Sequence, residues 1–415
     1  MSRRQADICI SGASFAGLSL AIALARSLGP ELRIVLVDRD AAPHAQAGRD
    51  DPRAVAISAS SRRLLDAIGI WPLLADQAQP VRRIEITDSG LDAGIRPVLL
   101  AWDNDLHEAE GHSTAAHIVP LPALNAALEQ AVAAESSIDI VRPAAARSFT
   151  ATTFAADIAL DGGDTIAAPL AVAADGRNSI LRQASGIKTV GWPYEQIGIA
   201  TTIEHEQDHG GIAVQHFLPA GPFAILPLPG RRSCVTWTES AAEGRRIMAL
   251  DDSAFLAELD LRFGGKLGRL QLVGARAAWP LSVHLARAYI ADRLTLVGDA
   301  AHGVHPIAGQ GLNLAFRDVA ALTEVIADAA RTGLDIGSSG VLERYERWRR
   351  FDSMLAAGAF DALNRFFSSD SRLLRSAREV GLQLADRLPA LKRAFVTEAA
   401  GLAGDLPKLL KGELP

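Results

Sequence analysis

The chain reads as an α/β protein: a doubly wound, largely parallel sheet unit, interrupted by a mostly antiparallel sheet and followed by a helical region. Three observations predict this. Near the start, the apolar run Ile8-Cys9-Ile10-Ser11 enters a glycine-bounded turn, Gly12 to Gly17, and then a helix from Leu18 to Arg26. Near the far end the same strand, loop and helix order returns, with Leu294, Leu296 and Val297 leading to Gly298 and a helical stripe of Leu312, Phe316, Val319, Leu322 and Ile326. Between them, Ile197 to Ile203, Ile212 to Phe217, Phe223 to Leu228 and Cys234 to Thr238 are four short strand candidates joined by Gly/Pro turns.

The first turn has the order of a Rossmann turn. Gly12 serves the tight bend, Gly17 serves close helix packing, and the helix N-terminus offers unpaired N–H donors to a pyrophosphate. Ser14 stands where a second glycine is usual, which puts a Cβ in a crowded place and a hydroxyl within reach of phosphate. Ile34-Val35-Leu36-Val37 is the next strand, and it ends in Asp38, the acidic residue expected about twenty residues on for ribose hydroxyls.

After a polar stretch from Ala41 to Asp51, Arg53 is either an exposed charge or a donor to a cofactor. Ser60 to Leu74 reads as one helix, Arg83 to Asp88 as a strand, and Ala123 to Ala134 as an Ala/Leu helix. Asn104 to Ala116, with His107 and His112, reads as a mobile surface loop. Ile138 to about Ile166 reads as a meander leading to a buried strand, Leu170 to Ala174, that closes on Asp175-Gly176. Beyond Ala330 the pattern is helical, with Leu342, Tyr345, Trp348 and Leu355 on one stripe. Residues 372–415 hold eight Lys/Arg against five Asp/Glu, so this tail is basic on an acidic chain; packing on the body of the protein is the preferred reading, and contact with an anionic bilayer is the alternative.

Composition narrows the class. The 415 residues carry a net charge of −6, which argues against nucleic acid. Cys9 and Cys234 both fall in expected strands, so buried thiols in a reducing, cytoplasmic setting are expected rather than a disulfide. Ser2-Arg3-Arg4 is not read as an export signal, because Asp7, Gly12 and Gly17 interrupt the apolar run and are needed for the strand and turn. Asp299, His302 and His305 do not make a metal site without further clustered ligands, and no metal is expected. A nucleophile elbow at Ser14 fails because Ala16 stands where glycine is required.

Several stretches together carry a resemblance: GASFAG at Gly12, DPRAVAIS at Asp51, AADGRNSILR at Ala173, HFLPAGPFAILPL at His216, GDAAHGVHPIAGQGLNLAFRDV at Gly298 and YERWRRFDS at Tyr345. The chain resembles the FAD-dependent aromatic-ring hydroxylases, the class A flavin monooxygenases, and most closely those acting in ubiquinone biosynthesis. The resemblance implies a Rossmann-type FAD-binding domain over residues 1–189 and 280–335, an inserted antiparallel substrate domain over 190–279 with help from 74–102, and a C-terminal helical region over 336–415. It implies that Gly12, Ala13, Ser14, Phe15, Ala16 and Gly17 hold the FAD pyrophosphate, Asp38 and Arg39 the adenosine ribose, and that Arg53 lies along the cofactor. Asp175 and Gly176 form a second FAD and NAD(P)H motif, and Gly298 and Asp299 serve the ribitol. The loop that starts at Pro306 would turn the N–H groups of Gly309, Gln310, Gly311, Leu312 and Asn313 to the flavin.

The implied reaction is hydroxylation of a phenolic, polyprenylated ring with O2 through a flavin C4a-hydroperoxide, the electrons coming from NAD(P)H or a separate reductase. Pro306, Gln310 and His305 are the candidates to orient or activate the phenol, while a structural role for His302 and His305 is the preferred reading. Peripheral attachment to the inner face of a membrane and membership of a quinone-biosynthesis complex are further expectations. A hydroxylase of small soluble phenols, a flavin reductase or halogenase, and a non-catalytic prenyl-lipid binder are the alternatives.

Overall fold

The computed structural model describes residues 2–43, 50–91, 96–108, 111–304, 310–367 and 396–415. His305, Pro306 and Gly309 lie outside the described residues, as do residues 368–395 of the basic tail.

A six-stranded sheet forms the centre of one half, in the order Ile138–Val141, Ile34–Val37, Ile8–Ser11, Leu170–Ala173, Leu294–Leu296 and Ile290–Ala291. All neighbours pair parallel except the last two strands, which are antiparallel. Strands buried on both faces read as unbroken apolar runs, and the Ile8–Ser11, Ile34–Val37 and Leu170–Ala173 strands are buried at every position. Helices Phe15–Leu28 and Gln310–Arg331 pack against this sheet and each other, with the Phe15 and Phe316 rings edge to face at 6.2 Å.

The second half is built on an eight-stranded sheet, in the order His302–Gly303, Leu270–Ala286, Thr189–His205, Arg232–Ser240, Gly221–Leu228, Ile212–Leu218, Arg83–Asp88 and Val98–Asp103. Ile212–Leu218 and Arg83–Asp88 pair parallel, and the other neighbours antiparallel. Two strands, Thr189–His205 and Leu270–Ala286, run 17 residues each and reach from one half to the other. Alternation divides the two faces. Val214, Phe223, Ile225, Val235, Trp237 and Ile199 are buried under helices Ala241–Met248 and Asp252–Phe263, whereas Gln215, Ala224, Leu226 and Thr236 are only half-buried on the other face.

Several expectations need correction. The segment Ser60 to Leu74 is not one helix: Ala59–Ala67 and Trp71–Leu74 are separate, because Gly69 takes φ +60° between them. Asp105–Glu108 and Gly111–Thr114 are two strands paired antiparallel, where a loop is expected. The base of the pair is closed by Ala115 N–H donating to Asn104 O, so backbone pairing holds a stretch that lacks apolar alternation. Ile138–Val141 belongs to the central sheet. The meander proper is Ala146–Ala151, Ala156–Leu160 and Thr165–Ala168, extended by Arg3–Gln5.

The helix Ser339–Phe367 follows the expected stripe at Leu342 and Tyr345, both fully buried, but Leu355 is 63% exposed. Of the basic tail, residues 396–415 form a strap packed on the body. Ala400 O accepts from Ser60 N, Leu409 and Leu410 are fully buried, and Arg331 donates to Pro415 O.

Candidate cofactor site

The two glycine-bounded turns of the sequence meet in space. Strands Ile8–Ser11 and Leu294–Leu296 flank Leu170–Ala173, so all three motif turns leave the same edge of the sheet. A Cβ on Gly298 would stand 3.4 Å from the Ala16 Cβ and 3.3 Å from the Ala315 Cβ, which places the far turn directly on the first helix and on the helix that follows it.

At the first turn, Gly12 has φ +106°, and a Cβ there would lie 2.3 Å from Ala174 O. A Cβ on Gly17 would lie 1.9 Å from Gly12 O. Both glycines are therefore required by close backbone approach. Ser14 is the N-cap of the Phe15–Leu28 helix in an extended conformation, and its hydroxyl makes no capping bond. The Asp38 carboxylate is 5% exposed and accepts from Ala13 N at 3.1 Å and Asp40 N at 3.0 Å, so besides facing the site it fixes the turn.

A cavity of about 210 Å³ opens here, lined by Gly12, Ala13, Ser14, Asp38, Arg39, Asp175 and Gly176 among others. This is below the roughly 300–1,000 Å³ of a pocket that takes a whole small molecule, so it suits one end of a longer ligand. Asp175 Oδ2 accepts from Ile180 N at 2.9 Å, while Oδ1 is buried without a hydrogen-bond partner among the described residues. Burial pushes the Asp175 carboxyl above its ordinary value. A carboxylate oxygen held ready for a donor, beside backbone cradles that a Cβ would fill, fits the pyrophosphate and adenosine end of a dinucleotide.

The turn Gly298–Ala300 is held at each residue by a different part of the chain. Gly298 N donates to Asp318 Oδ2 at 2.9 Å. His284 Nε2 lies 2.8 Å from Asp299 O, and because that carbonyl can only accept, Nε2 carries the proton. Arg182 donates through one Nη to Ala300 O at 2.8 Å and through the other to Arg177 O at 2.7 Å, which joins the Asp175-Gly176 turn to this one. The Asp299 side chain itself is exposed. Asp299 is not among the described lining residues of the 210 Å³ cavity, so the turn presents it beyond that space.

Asp318 is fully buried and accepts also from His302 Nε2 at 2.6 Å and Arg349 Nε at 2.8 Å. Burial works to raise its carboxyl, but His302 and Arg349 together hold it below the ordinary carboxylate range. His302 is 1% exposed and has a structural partner, as the preferred reading of that residue expected. Among the described residues no group of three or more His, Cys, Asp or Glu is placed to hold a metal ion.

The remaining candidates are placed as follows. Asn313 turns its side chain to the backbone of Ala54–Ser58 rather than to the cleft. Gln310, Gly311 and Leu312 begin the Gln310–Arg331 helix. Arg53 is exposed, forms a two-point ion pair with Asp51 and lies 5.7 Å from the Trp279 ring, so it bridges the two halves and does not line the described cavity. Phe15 is committed to packing on Phe316. Arg182, His284, Asp318 and Arg349 were not anticipated. Arg182 carried a signal, since it follows the Asp-Gly turn by one helical turn, whereas Asp318 and Arg349 look like ordinary helix-surface charges in sequence.

A family model described as FAD binding domain matches residues 5–355. Over 412 residues the chain is 39% identical to ubiquinone hydroxylase UbiL of Rhodospirillum rubrum, covering 98% of this chain and 93% of that one. It is 32% identical over 409 residues to the 3-demethoxyubiquinol 3-hydroxylase of Escherichia coli, covering 97% and 100%. Among solved structures, p-nitrophenol 4-monooxygenase PnpA of Pseudomonas putida shares the fold with a TM-score of 0.77 at 16% identity, covering 97% and 99% of the two chains. With the glycine cradles, the waiting Asp175 oxygen and the Gly298 turn converging on one sheet edge, the chain belongs to the FAD-binding family of flavin monooxygenases that contains the ubiquinone hydroxylases.

Proposed function

We propose that this FAD-dependent monooxygenase hydroxylates the ring of a polyprenylated phenol on the route to ubiquinone. The observation that carries the substrate side is the half-open face of the eight-stranded sheet. Thr202 Oγ1 and Cys234 Sγ both donate to Pro52 O, at 3.3 and 3.4 Å, so this face looks onto the FAD half. Along the next row, Gln215, Ala224, Thr236 and Ala200 are direct cross-strand partners and share that face. Three of the four are small, a row on which an apolar ring could lie flat. Gln215 Nε2 is buried without an acceptor among the described residues, a donor suited to a phenol or phenolate oxygen.

Bound FAD would supply the activation of O2, of which one atom goes to the ring and the other leaves as water at the expense of two electrons from the external donor. The chain's own part is to bind, orient and exclude water. Gly12 to Gly17, Asp38, Arg39, Asp175 and Gly176 hold the nucleotide end, and Asp299 takes the ribitol. The first turn of the Gln310–Arg331 helix, through the N–H groups of Gln310 to Asn313, would face bound flavin and stabilise negative charge on it. Pro306, Gln310 and His305 remain the candidates to orient the ring from the flavin side. Electrons come from NAD(P)H or a separate reductase.

Membrane contact belongs to the same reading, since the substrate tail is a lipid. No helix among the described residues is long and apolar enough to cross a membrane. The helix Ser339–Phe367 instead exposes Phe351, Met354 and Leu355 on the face that also carries exposed Arg344 and Arg347, a pattern suited to lying on an anionic surface. Quinone precursors extracted from a strain lacking the gene test the substrate: an accumulated polyprenylated phenol one hydroxyl short of its successor is expected, and an unchanged quinone profile sinks the proposal. Flotation with anionic vesicles tests the surface, where Phe351→Ser with Leu355→Ser should lower the bound fraction.

A further inference from the structure

The bonds that hold Gly298–Ala300 come from three buried side chains, each from a separate element: Arg182 at 5% exposure, His284 at 8% and Asp318 at 0%. Three polar contacts on consecutive backbone groups satisfy a buried turn, and together they also fix the aim of the exposed Asp299 carboxylate. We propose that Asp318, His284 and Arg182 are positioning residues for FAD, a three-point clamp that fixes the turn so that Asp299 meets the cofactor hydroxyls without having to be ordered on binding.

The parts of the clamp are themselves braced. Asp318 Oδ2 accepts from both Gly298 N and His302 Nε2, and Oδ1 accepts from Arg349 Nε, so the carboxylate cannot turn away from the turn. The His284 ring lies over Gly303, where a Cβ would stand 2.3 Å from it, and a Cβ on Gly191 would meet the His284 backbone; the imidazole has one place to be. Arg182 ties the turn to the Asp175-Gly176 turn through Arg177 O. Rigid support of a binding group lowers the ordering cost of ligand capture, so loss of one clamp point is read as weaker FAD binding.

FAD titrations on the full chain, followed by flavin fluorescence, test this. Asp318→Asn should bind FAD roughly ten- to a hundredfold more weakly, the range expected for losing a hydrogen bond to a charged acceptor. Asp352→Asn is the control, because Asp352 also pairs with Arg349 but touches neither the turn nor the cleft; it should lower the Tm of the FAD-free protein and leave FAD affinity within about threefold of wild type. Wild-type affinity in Asp318→Asn, or an equal loss in Asp352→Asn, overturns the clamp in favour of general packing. Should Asp318→Asn not fold, hydrogen exchange resolved to the Gly298 amide in FAD-free wild-type protein decides: protection is expected before FAD is added, and fast exchange refutes it. Neither readout depends on which phenol is hydroxylated.

Discussion

Asn313 sews the start of the cofactor helix to Ser58: its Oδ1 accepts from Ser58 N at 3.0 Å, and its Nδ2 donates to Ala56 O at 2.9 Å. One side-chain amide thus completes the edge of a strand with a helix that lies 255 residues on. Asn313→Ala would strand a buried N–H and a carbonyl, at about 1–3 kcal/mol for each unsatisfied group. The expected result is a lower denaturant midpoint for the FAD-free protein together with weaker FAD binding. Asn313→Asp, which keeps one acceptor, should lie between alanine and wild type.

Gly17→Ala should abolish FAD binding at micromolar protein. The added carbon would lie 1.9 Å from Gly12 O, so the turn and helix must separate, and they are the pyrophosphate cradle. Absorbance of the purified variant checks this, and a yellow protein at stoichiometric flavin counts against it.

Asp299→Ala should also lose FAD, but for a different reason. The side chain is exposed and supports no packing, so the FAD-free Tm should change little while affinity falls. Retained stoichiometric FAD would show that the ribitol assignment is wrong.

Acid should weaken the fold through His216. Burial is the first cause and the charges of Arg96 and Lys266 add to it, bringing this imidazole down to about 3. The unfolded chain takes up a proton that the folded chain refuses, so stability is complete above the unfolded value of about 6.5 and falls as pH drops below it. At about pH 5.5 the penalty is ~1.4 kcal/mol, a tenfold change in proton occupancy of the unfolded state. His216→Asn should narrow the stability difference between pH 7.5 and pH 5.5 by about that amount, measured by denaturant titration; an unaltered pH dependence refutes the assignment.

Removing residues 396–415 should destabilise the protein rather than merely free it from a membrane. Leu409, Leu410 and Ala400 are fully buried, and Lys408 N donates to Glu324. Two buried leucines alone contribute roughly 3–6 kcal/mol. Low soluble yield or a large drop in Tm is expected, and a truncated protein of wild-type Tm would show that the strap is dispensable.

The sequence was most legible where one physical rule acted alone. Strands buried on both faces read as apolar runs, Gly12 and Gly17 stand where backbones touch, and Gly298 takes a positive φ, so the turns that follow the parallel strands were legible. It was least legible where a pattern had two uses. Thr189–His205 carries Gly191 and Pro193 inside a strand, with its register shifted between Pro193 and Ile197, and Leu270–Ala286 is half exposed, so neither full length could be read from alternation. Asp318 and Arg349 lie 31 residues apart on two amphipathic helices, and only packing turns that pair inward. The Asn104 to Ala116 segment looked like loop because polar residues hide a ladder made by backbone alone.

The strap has a consequence for synthesis. The eight-stranded sheet needs residues only up to Gly303, but the nucleotide half also needs the Gln310–Arg331 helix and then residues 396–415, which close over Ser60 through Ala400 and Gly401, so its first strand is made long before its last partners. The early βα turn must be kept from wrong partners until those later segments have docked.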